Sequence, residues 1–437
     1  MNYPDSYYVE EATATIRQEA PWHTDELPKE VDTIVVGGGF AGLTTALELA
    51  RSGKSVALFE ANKIGWGASG RNGGFVSEGF AQGLPALISR LGHDHAKALV
   101  ALSISGGEFV RRQANSIDPA IIGGHGWLLA YRHHDPEAVK KTQALYNAHG
   151  MKRRIVERSE LRELLKSQTY FEALENSRAF HIQPLTYALG LAQKAHMAGA
   201  GIFENCAVDA LDKNGALWQA SAAGKIIKAQ HVVLAGSAYM SGLYPRLQNA
   251  ILPVATYVVA TEPMARQLDK AISYSGAISD NRRAGDYYRR LKDGRLLWGG
   301  RITTRRSEPK KLAQMLKSDI DKIYPQLGDF KISHAWSGLM GYAAHKMPII
   351  GELESGIWAV TGFGGHGLST TAMGGQLIAS AIAEGDDRWR QFSSFGPVWA
   401  GGALGRAAVQ AIYWFMQGRD RIEEKRKPHF SKKRDEG

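Results

Sequence analysis

The first patterned stretch of the chain, Val31-Asp-Thr-Ile-Val-Val36, is a β-branched apolar run that reads as a buried strand. It leads into the glycine turn Gly37-Gly-Gly39-Phe40-Ala41-Gly42, after which Leu43, Ala46, Leu47 and Ala50 mark one face of a helix that ends at Gly53. A second strand, Ser55 to Phe59, runs into Glu60 and Ala61. Farther on, 201–208 and Val232-Val-Leu234 read as apolar strands, and the strand-like Gly126–Tyr131 follows a helical stretch within 88–148. From Ile251 to Lys331 the period changes to two, through Val254–Ala260, Asp286–Arg290 and Arg295–Arg301. With a turn at Lys292-Asp-Gly294 this predicts an antiparallel sheet. Ile357–Thr361 reads as a strand and Leu368–Ala383 as a helix. In Ala403–Met416, Leu404, Ala408, Ile412 and Phe415 recur at helical spacing, which predicts a C-terminal helix packed on the body through that face.

Strand, glycine turn, helix, strand and acid together make a dinucleotide-binding unit. Gly37 permits the tight turn, Gly39 lets the backbone approach a pyrophosphate, and Gly42 lets helix and strand pack closely. The helix start offers spare N–H groups and partial positive charge, and Glu60 is spaced to accept from ribose hydroxyls. NAD and FAD both fit such a unit. Gly362, Gly364 and Gly367 repeat the same letters between a strand and a helix, but the polar Glu384-Gly-Asp-Asp-Arg-Trp-Arg-Gln391 that follows holds no second strand ending in an acid. The second cluster therefore reads as a helix end suited to negative charge, with His366 adding either charge or a hydrogen bond.

Shortly after Glu60 comes Ile64-Gly-Trp-Gly-Ala-Ser-Gly-Arg-Asn-Gly-Gly74, a loop of small residues with one arginine fork. The segment from Val31 to Phe75, and this loop in particular, resembles the D-amino-acid oxidase/glycine oxidase superfamily, on the branch of gamma-glutamylputrescine oxidase and related amine oxidases. The resemblance runs through most of the chain and implies FAD. It places Gly67, Ala68, Ser69, Arg71, Asn72 and Gly73 along the pyrophosphate, ribityl chain and isoalloxazine, and Val208 against the adenine. It closes Ala235 and Gly236 over the cofactor, Gly236 standing where relatives have threonine, and brings Gly362, Gly364, Gly365, His366, Gly367 and Leu368 to the N1 edge of the ring. Around Ser337–Gly351, His345 and Lys346 replace the acid usual in the family, and the flavin-linking cysteine of sarcosine-oxidase-like members has no counterpart, which implies noncovalent FAD. The oxygen-activating lysine of those relatives aligns near apolar Leu297, leaving oxygen or a quinone as acceptor.

The expected architecture is an α/β FAD-binding Rossmann-like domain interleaved with an α+β substrate domain built on an antiparallel sheet. FAD-side segments are residues 1–87, 149–250 and 332–390, substrate-side segments are 88–148 and 251–331, and 391–437 is a C-terminal helix and basic tail. His366, Tyr288 and Arg289 are the catalytic candidates, with Tyr287 and Arg301 beside them as possible walls or carboxylate clamps. The implied reaction is oxidation of an amine or amino-acid C–N bond by hydride transfer to flavin N5, followed by imine hydrolysis and release of H2O2 where O2 is the acceptor. A membrane-peripheral dehydrogenase feeding quinone and a noncatalytic FAD-binding protein are the alternatives.

Composition adds limits. The excess of 53 Lys+Arg over 43 Asp+Glu gathers partly in the last stretch, which reads as a solvated tail rather than a nucleic-acid face. The lone Cys206 excludes an intrachain disulfide and, with no signal-like start, predicts a cytoplasmic protein. No run reaches the roughly 20 apolar residues of a spanning helix, so membrane contact through the C-terminal segment is possible but not favoured. No metal is expected.

Overall fold

The structure is a computed structural model that describes residues 2–12, 22, 26–240, 242–283, 285–303 and 309–426. The glycine turn lies at the edge of an eight-stranded sheet whose main path runs Ile349–Glu354, Ile357–Thr361, Lys225–Leu234, Glu30–Val36, Val56–Phe59 and Gly201–Phe203. The central strands are parallel, with Val36 opposite both Leu234 and Phe59. They are buried on both faces, which is why they read as unbroken apolar runs rather than as alternating ones. The segment expected as one strand over 201–208 is two. The first ends at Phe203, Asn205 turns the chain at φ 52°, and the next, Val208–Asn214, pairs with Leu217–Ala222.

Helix Phe40–Arg51 covers this sheet and is crossed closely by helix Gly367–Glu384, where a Cβ on Gly375 would stand 2.9 Å from the Ala41 carbonyl oxygen. Helix His93–Ile117 packs on Gly367–Glu384 as closely, since a Cβ on Gly106 would meet the Ser369 carbonyl oxygen at 2.1 Å. The glycine-headed helix is thus clamped between two neighbours before its N-terminus meets anything else.

The second sheet has nine strands, ordered Ile332–Ala343, Ile251–Thr261, Leu296–Thr303, Tyr287–Arg290, Ala277–Asp280, Ile122–Ala130, Ala173–Ile182 and Phe75–Val76, with Arg154–Val156 paired to Ala173–Ile182. Its strands correct the expected boundaries at 148/149 and 331/332. Arg154–Val156 and Ala173–Ile182 belong to this sheet, and Ile332–Ala343 pairs along the whole of Ile251–Thr261. Alternation gives the sheet two faces. Tyr257, Tyr288 and Trp298 pack with helix Pro309–Ile323 on one, while Val258, Leu297 and Trp336 join the core shared with the dinucleotide side on the other.

Tyr288 is therefore on the far face from the glycine loops. Its ring stacks on Trp298 at 4.0 Å, and its hydroxyl meets those of Tyr324 at 2.8 Å and Tyr170 at 3.1 Å, which corrects its reading as a substrate-facing residue. Arg289 faces the other way but is fully committed. Its Nε donates to the Gly73 carbonyl at 2.8 Å, Nη1 contacts His181 Nδ1 at 2.9 Å, and Nη2 reaches the Ile182 carbonyl and the Tyr8 hydroxyl at 3.1 and 3.2 Å. It ties loop, sheet and N-terminal helix together rather than clamping a substrate carboxylate. The side chain of Arg301 lies outside the described residues.

Arg289→Met strands these buried acceptors and is expected to lower unfolding free energy by about 2–4 kcal/mol in a denaturant titration. Burial, with the Arg289 charge beside it, holds the His181 imidazole well below its ordinary 6.5. The native state thus keeps it neutral while the unfolded chain protonates it. Its contribution to stability is present above pH 6.5 and is lost as pH falls below that value. His181→Gln should flatten the acid side of the melting-temperature profile relative to the parent; an unchanged slope would remove His181 from that account.

Candidate functional site

The first glycine cluster is built by close approach. Gly37 sits at φ +115°, and a Cβ there would lie 2.9 Å from the Ala235 carbonyl carbon. On Gly39 it would lie 2.9 Å from Ser69 Oγ, and on Gly42 2.0 Å from the Gly37 carbonyl oxygen. Phe40 N–H donates to Ser69 Oγ at 3.0 Å, so the loop after Glu60 folds back on the helix start. Glu60 accepts from Gly38 N–H at 2.7 Å and from Asn62 N–H at 2.8 Å, just ahead of exposed Ala61. Burial raises its pKa and the two amides oppose that. Cys206 N–H donates to the Glu60 carbonyl, which brings the start of strand Val208–Asn214 beside the acid.

The loop is held by its own backbone. Gly70 N–H donates to the Gly65 carbonyl at 2.8 Å, and Asn72 Nδ2 donates to the Ala68 and Ser69 carbonyls at 3.1 and 2.8 Å. Gly67 lies against the Tyr239 ring, in the short turn that follows Ala235 and Gly236. Arg71 donates through Nε to the Trp66 carbonyl at 2.7 Å and through Nη1 to the Ser337 carbonyl at 3.3 Å, while its buried Nη2 has no partner. A buried guanidinium N–H with no acceptor signals an absent anionic or carbonyl ligand at that point.

The second cluster closes from the opposite side. Gly362 and Gly364 adopt φ +75° and +59°, and a Cβ on Gly364 would enter the Tyr342 ring at 2.6 Å. The chain then passes Gly365 to His366, whose backbone caps helix Gly367–Glu384, with Gly367 and buried Leu368 in its first turn. Burial lowers the His366 pKa, with Glu78 opposing, so the ring is held neutral near pH 7 and offers a hydrogen bond rather than a charge.

Between the clusters lies an aromatic wall in which Tyr287, a candidate wall from the sequence, is joined by Phe75 and Trp127, which sequence reasoning passed over. Phe75 meets Tyr287 edge-on at 5.5 Å and Trp127 at 6.4 Å, and Trp127 in turn lies 6.4 Å from the His366 ring. Tyr287, not Tyr288, presents its ring to the loop: a Cβ on Gly73 would lie 2.8 Å from it, and its hydroxyl sits 3.3 Å from Thr256 Oγ1. Trp127 and His366 also line a cavity of about 200 Å³. On its wall Arg153 Nη1 donates to Glu78 Oε1 at 2.6 Å and Asn176 Nδ2 to Glu78 Oε2 at 2.9 Å. Burial works against the Glu78 charge, but Arg153 and Asn176 outweigh it and keep the carboxyl below its ordinary range.

Two glycine-faced helix starts, an orphaned arginine donor and an aromatic-walled sheet define a flavin-binding oxidoreductase fold. The residues fit FAD: the first cluster and Glu60 suit the dinucleotide end, and Arg71 with the second cluster suit its polar middle and ring. Residues 32–381 match the family model described as FAD dependent oxidoreductase, so the chain belongs to this D-amino-acid-oxidase-type (DAO) family. It is 31% identical to the probable oxidoreductase OrdL of Haemophilus influenzae, over 82% of this chain and 84% of that one. It is 30% identical to gamma-glutamylputrescine oxidoreductase of Escherichia coli, over 90% and 92%. The solved glycine oxidase from Bacillus cereus superposes with a TM-score of 0.69 at 20% identity, covering 82% of this chain and 96% of that one, and has the same fold.

Arg71→Met keeps the stem of this side chain and removes the orphaned donor. The substitution also strands the Trp66 and Ser337 carbonyls, so the apoprotein melting temperature should fall as well; flavin affinity, from the flavin-to-protein absorbance ratio after dialysis at a temperature where the variant is folded, should fall about tenfold or more.

Proposed function

We propose that this FAD-dependent enzyme acts on an extended amine, of the kind named in gamma-glutamylputrescine oxidoreductase, rather than on a compact α-amino acid. The cavity beside His366 carries this reading. Its two ionic groups, Glu78 and Arg153, are paired with each other, so its wall is polar but neutral overall. A compact amino acid asks for an uncommitted arginine near the ring. Among the described residues around the flavin motifs, Arg289 is bound to main-chain carbonyls, and the one unpaired donor of Arg71, in the glycine loop, is taken by the cofactor on this reading. A longer substrate places its reacting end by the Trp127–His366 wall and its polar remainder against Glu78, Arg153 and Asn176.

Bound FAD supplies a two-electron acceptor for hydride from the carbon bearing the amine nitrogen. The chain's part is to bind the amine in its neutral form, which burial favours, and to fix that carbon against the ring. Burial raises the Tyr287 and Tyr342 hydroxyl pKa values above the ordinary phenol, so both stay neutral hydrogen-bonding groups beside the glycine clusters. Release to water gives imine hydrolysis, and O2 as acceptor gives H2O2. FAD is held noncovalently on this reading, since Cys206, the lone cysteine, is buried in the core of the dinucleotide sheet. Buried apolar Leu297, near which the resemblance places the oxygen-activating lysine of related oxidases, favours a second reading in which a quinone takes the electrons.

Anaerobic addition of polyamines, gamma-glutamyl amines, cyclic imino acids and D-amino acids to the purified yellow protein separates these readings. Extended amines should bleach the flavin absorbance, air should restore it with stoichiometric peroxide, and acid precipitation should leave flavin in the supernatant. Bleaching by compact amino acids alone would overturn the substrate assignment, and slow reoxidation by air with fast reoxidation by a soluble quinone would select the second reading.

A further inference from the structure

The C-terminal helix Gly402–Arg426 is mounted the opposite way from the sequence expectation. Two polar side chains, Gln410 and Asp420, face the body beside partly buried Val409, Tyr413 and Met416. Gln410, only 7% exposed, accepts from Thr303 Oγ1 at 2.7 Å, and Asp420, 8% exposed, pairs with Arg283 at 3.1 Å. Leu404, Ala408, Ile412 and Phe415, expected to pack inward, face outward: Leu404 is 78% exposed, Phe415 66% and Ile412 52%. At 3.6 residues per turn Leu404, Ala408, Ala411, Phe415 and Ile422 fall on one stripe, with Ile412 and Trp414 along its borders. Val398 and Trp399, exposed in the segment leading into the helix, extend the apolar surface. The reversal has a physical reason: periodicity fixes which residues share a face but not where that face points, and here Thr303 and Arg283 recruit the polar one.

An exposed apolar stripe on a surface helix, here running from Leu404 to Phe415 and resuming at Ile422 past Gly418 and Arg419, marks a contact. We propose that this face docks on a bilayer surface rich in anionic lipid, the helix lying in the interface with Leu404, Phe415 and Ile422 toward the acyl boundary. Three observations select this occupant. Large aromatic residues, Trp399, Trp414 and Phe415, crowd the exposed patch, which is the composition of interfacial helices. The chain carries a formal net charge of +10, complementary to anionic headgroups, and the exposed Arg406 and Arg419 of this helix share that sign. A second copy would bring an equal positive charge against the first, which opposes self-docking. No helix among the described residues is long and apolar enough to cross a membrane, so the contact lies on the surface.

The inference is independent of the substrate reading and is tested on the full-length flavoprotein. It should co-sediment with phosphatidylglycerol-containing vesicles, bind pure phosphatidylcholine vesicles at least about tenfold more weakly, and release from the former at high ionic strength. Tryptophan emission should shift to the blue on binding. The double substitution Leu404→Glu and Phe415→Glu should abolish vesicle binding while flavin content and amine-driven flavin reduction in solution stay as in the parent. Binding that survives the double substitution, or that ignores lipid charge, overturns the proposal. A dimer in lipid-free sedimentation that the same substitution converts to monomer also overturns it and assigns the face to a second copy.

Discussion

The placement of one sheet over the other depends on the buried guanidinium of Arg289. Its donors reach the Gly73 carbonyl in the glycine loop, the Ile182 carbonyl and His181 on the strand Ala173–Ile182 of the same sheet, and the Tyr8 hydroxyl on the N-terminal helix. A buried cation is tolerable only when its donors are satisfied, and here the acceptors come from three separate segments: the glycine loop, the strand Ala173–Ile182 and the N-terminal helix. The glycine loop therefore has one position relative to the second sheet. Arg71 repeats the device from the loop's side, through the Ser337 carbonyl, with Trp336 Nε1 donating back to the Arg71 carbonyl at 2.9 Å.

The site follows from that registration. Tyr287 lies two residues before Arg289 on the same strand face, so the side chain that locks the loop also delivers a ring onto Gly73. Phe75, just past the loop, meets Tyr287, and Trp127 continues the wall to His366 on the clamped helix. Each aromatic comes from a different element, and each touches one that the glycine geometry has already fixed. This is how a pocket of individually modest contacts acquires a single shape.

How much of this was legible depends on what carried the information. The dinucleotide unit was legible because Gly37 and Gly42 occupy places where a Cβ would collide with backbone, a demand that leaves its mark in the residue type. The parity of Tyr287 and Tyr288 was not, since both are tyrosine and alternation states only that one of them turns away. The direction of the C-terminal helix was missed because Gln410 and Asp420 find partners in Thr303 and Arg283, from a distant part of the chain. Glu78, Arg153 and Asn176 each look like ordinary surface residues in sequence. Their meeting at the cavity wall is a product of the loop, a strand connection and the strand Ala173–Ile182 converging.

The two glycine clusters share letters but not electrostatics. At the first, Glu60 stands beside the helix start with both carboxylate oxygens held by amides, an arrangement suited to a ribose, with the positive helix end suited to phosphate. At the second there is no such acid in the turn, and His366, kept neutral by burial, adds no positive charge. Negative charge near that helix start would then be met by the helix dipole rather than by a cationic side chain, since the Gly364 amide is already bonded to the Gly341 carbonyl and the Gly365 amide to Tyr342. The clamping of helix Gly367–Glu384 by Gly375 and Gly106 thus has a functional consequence: it holds the dipole end still where a titrating side chain would have made the same support depend on pH.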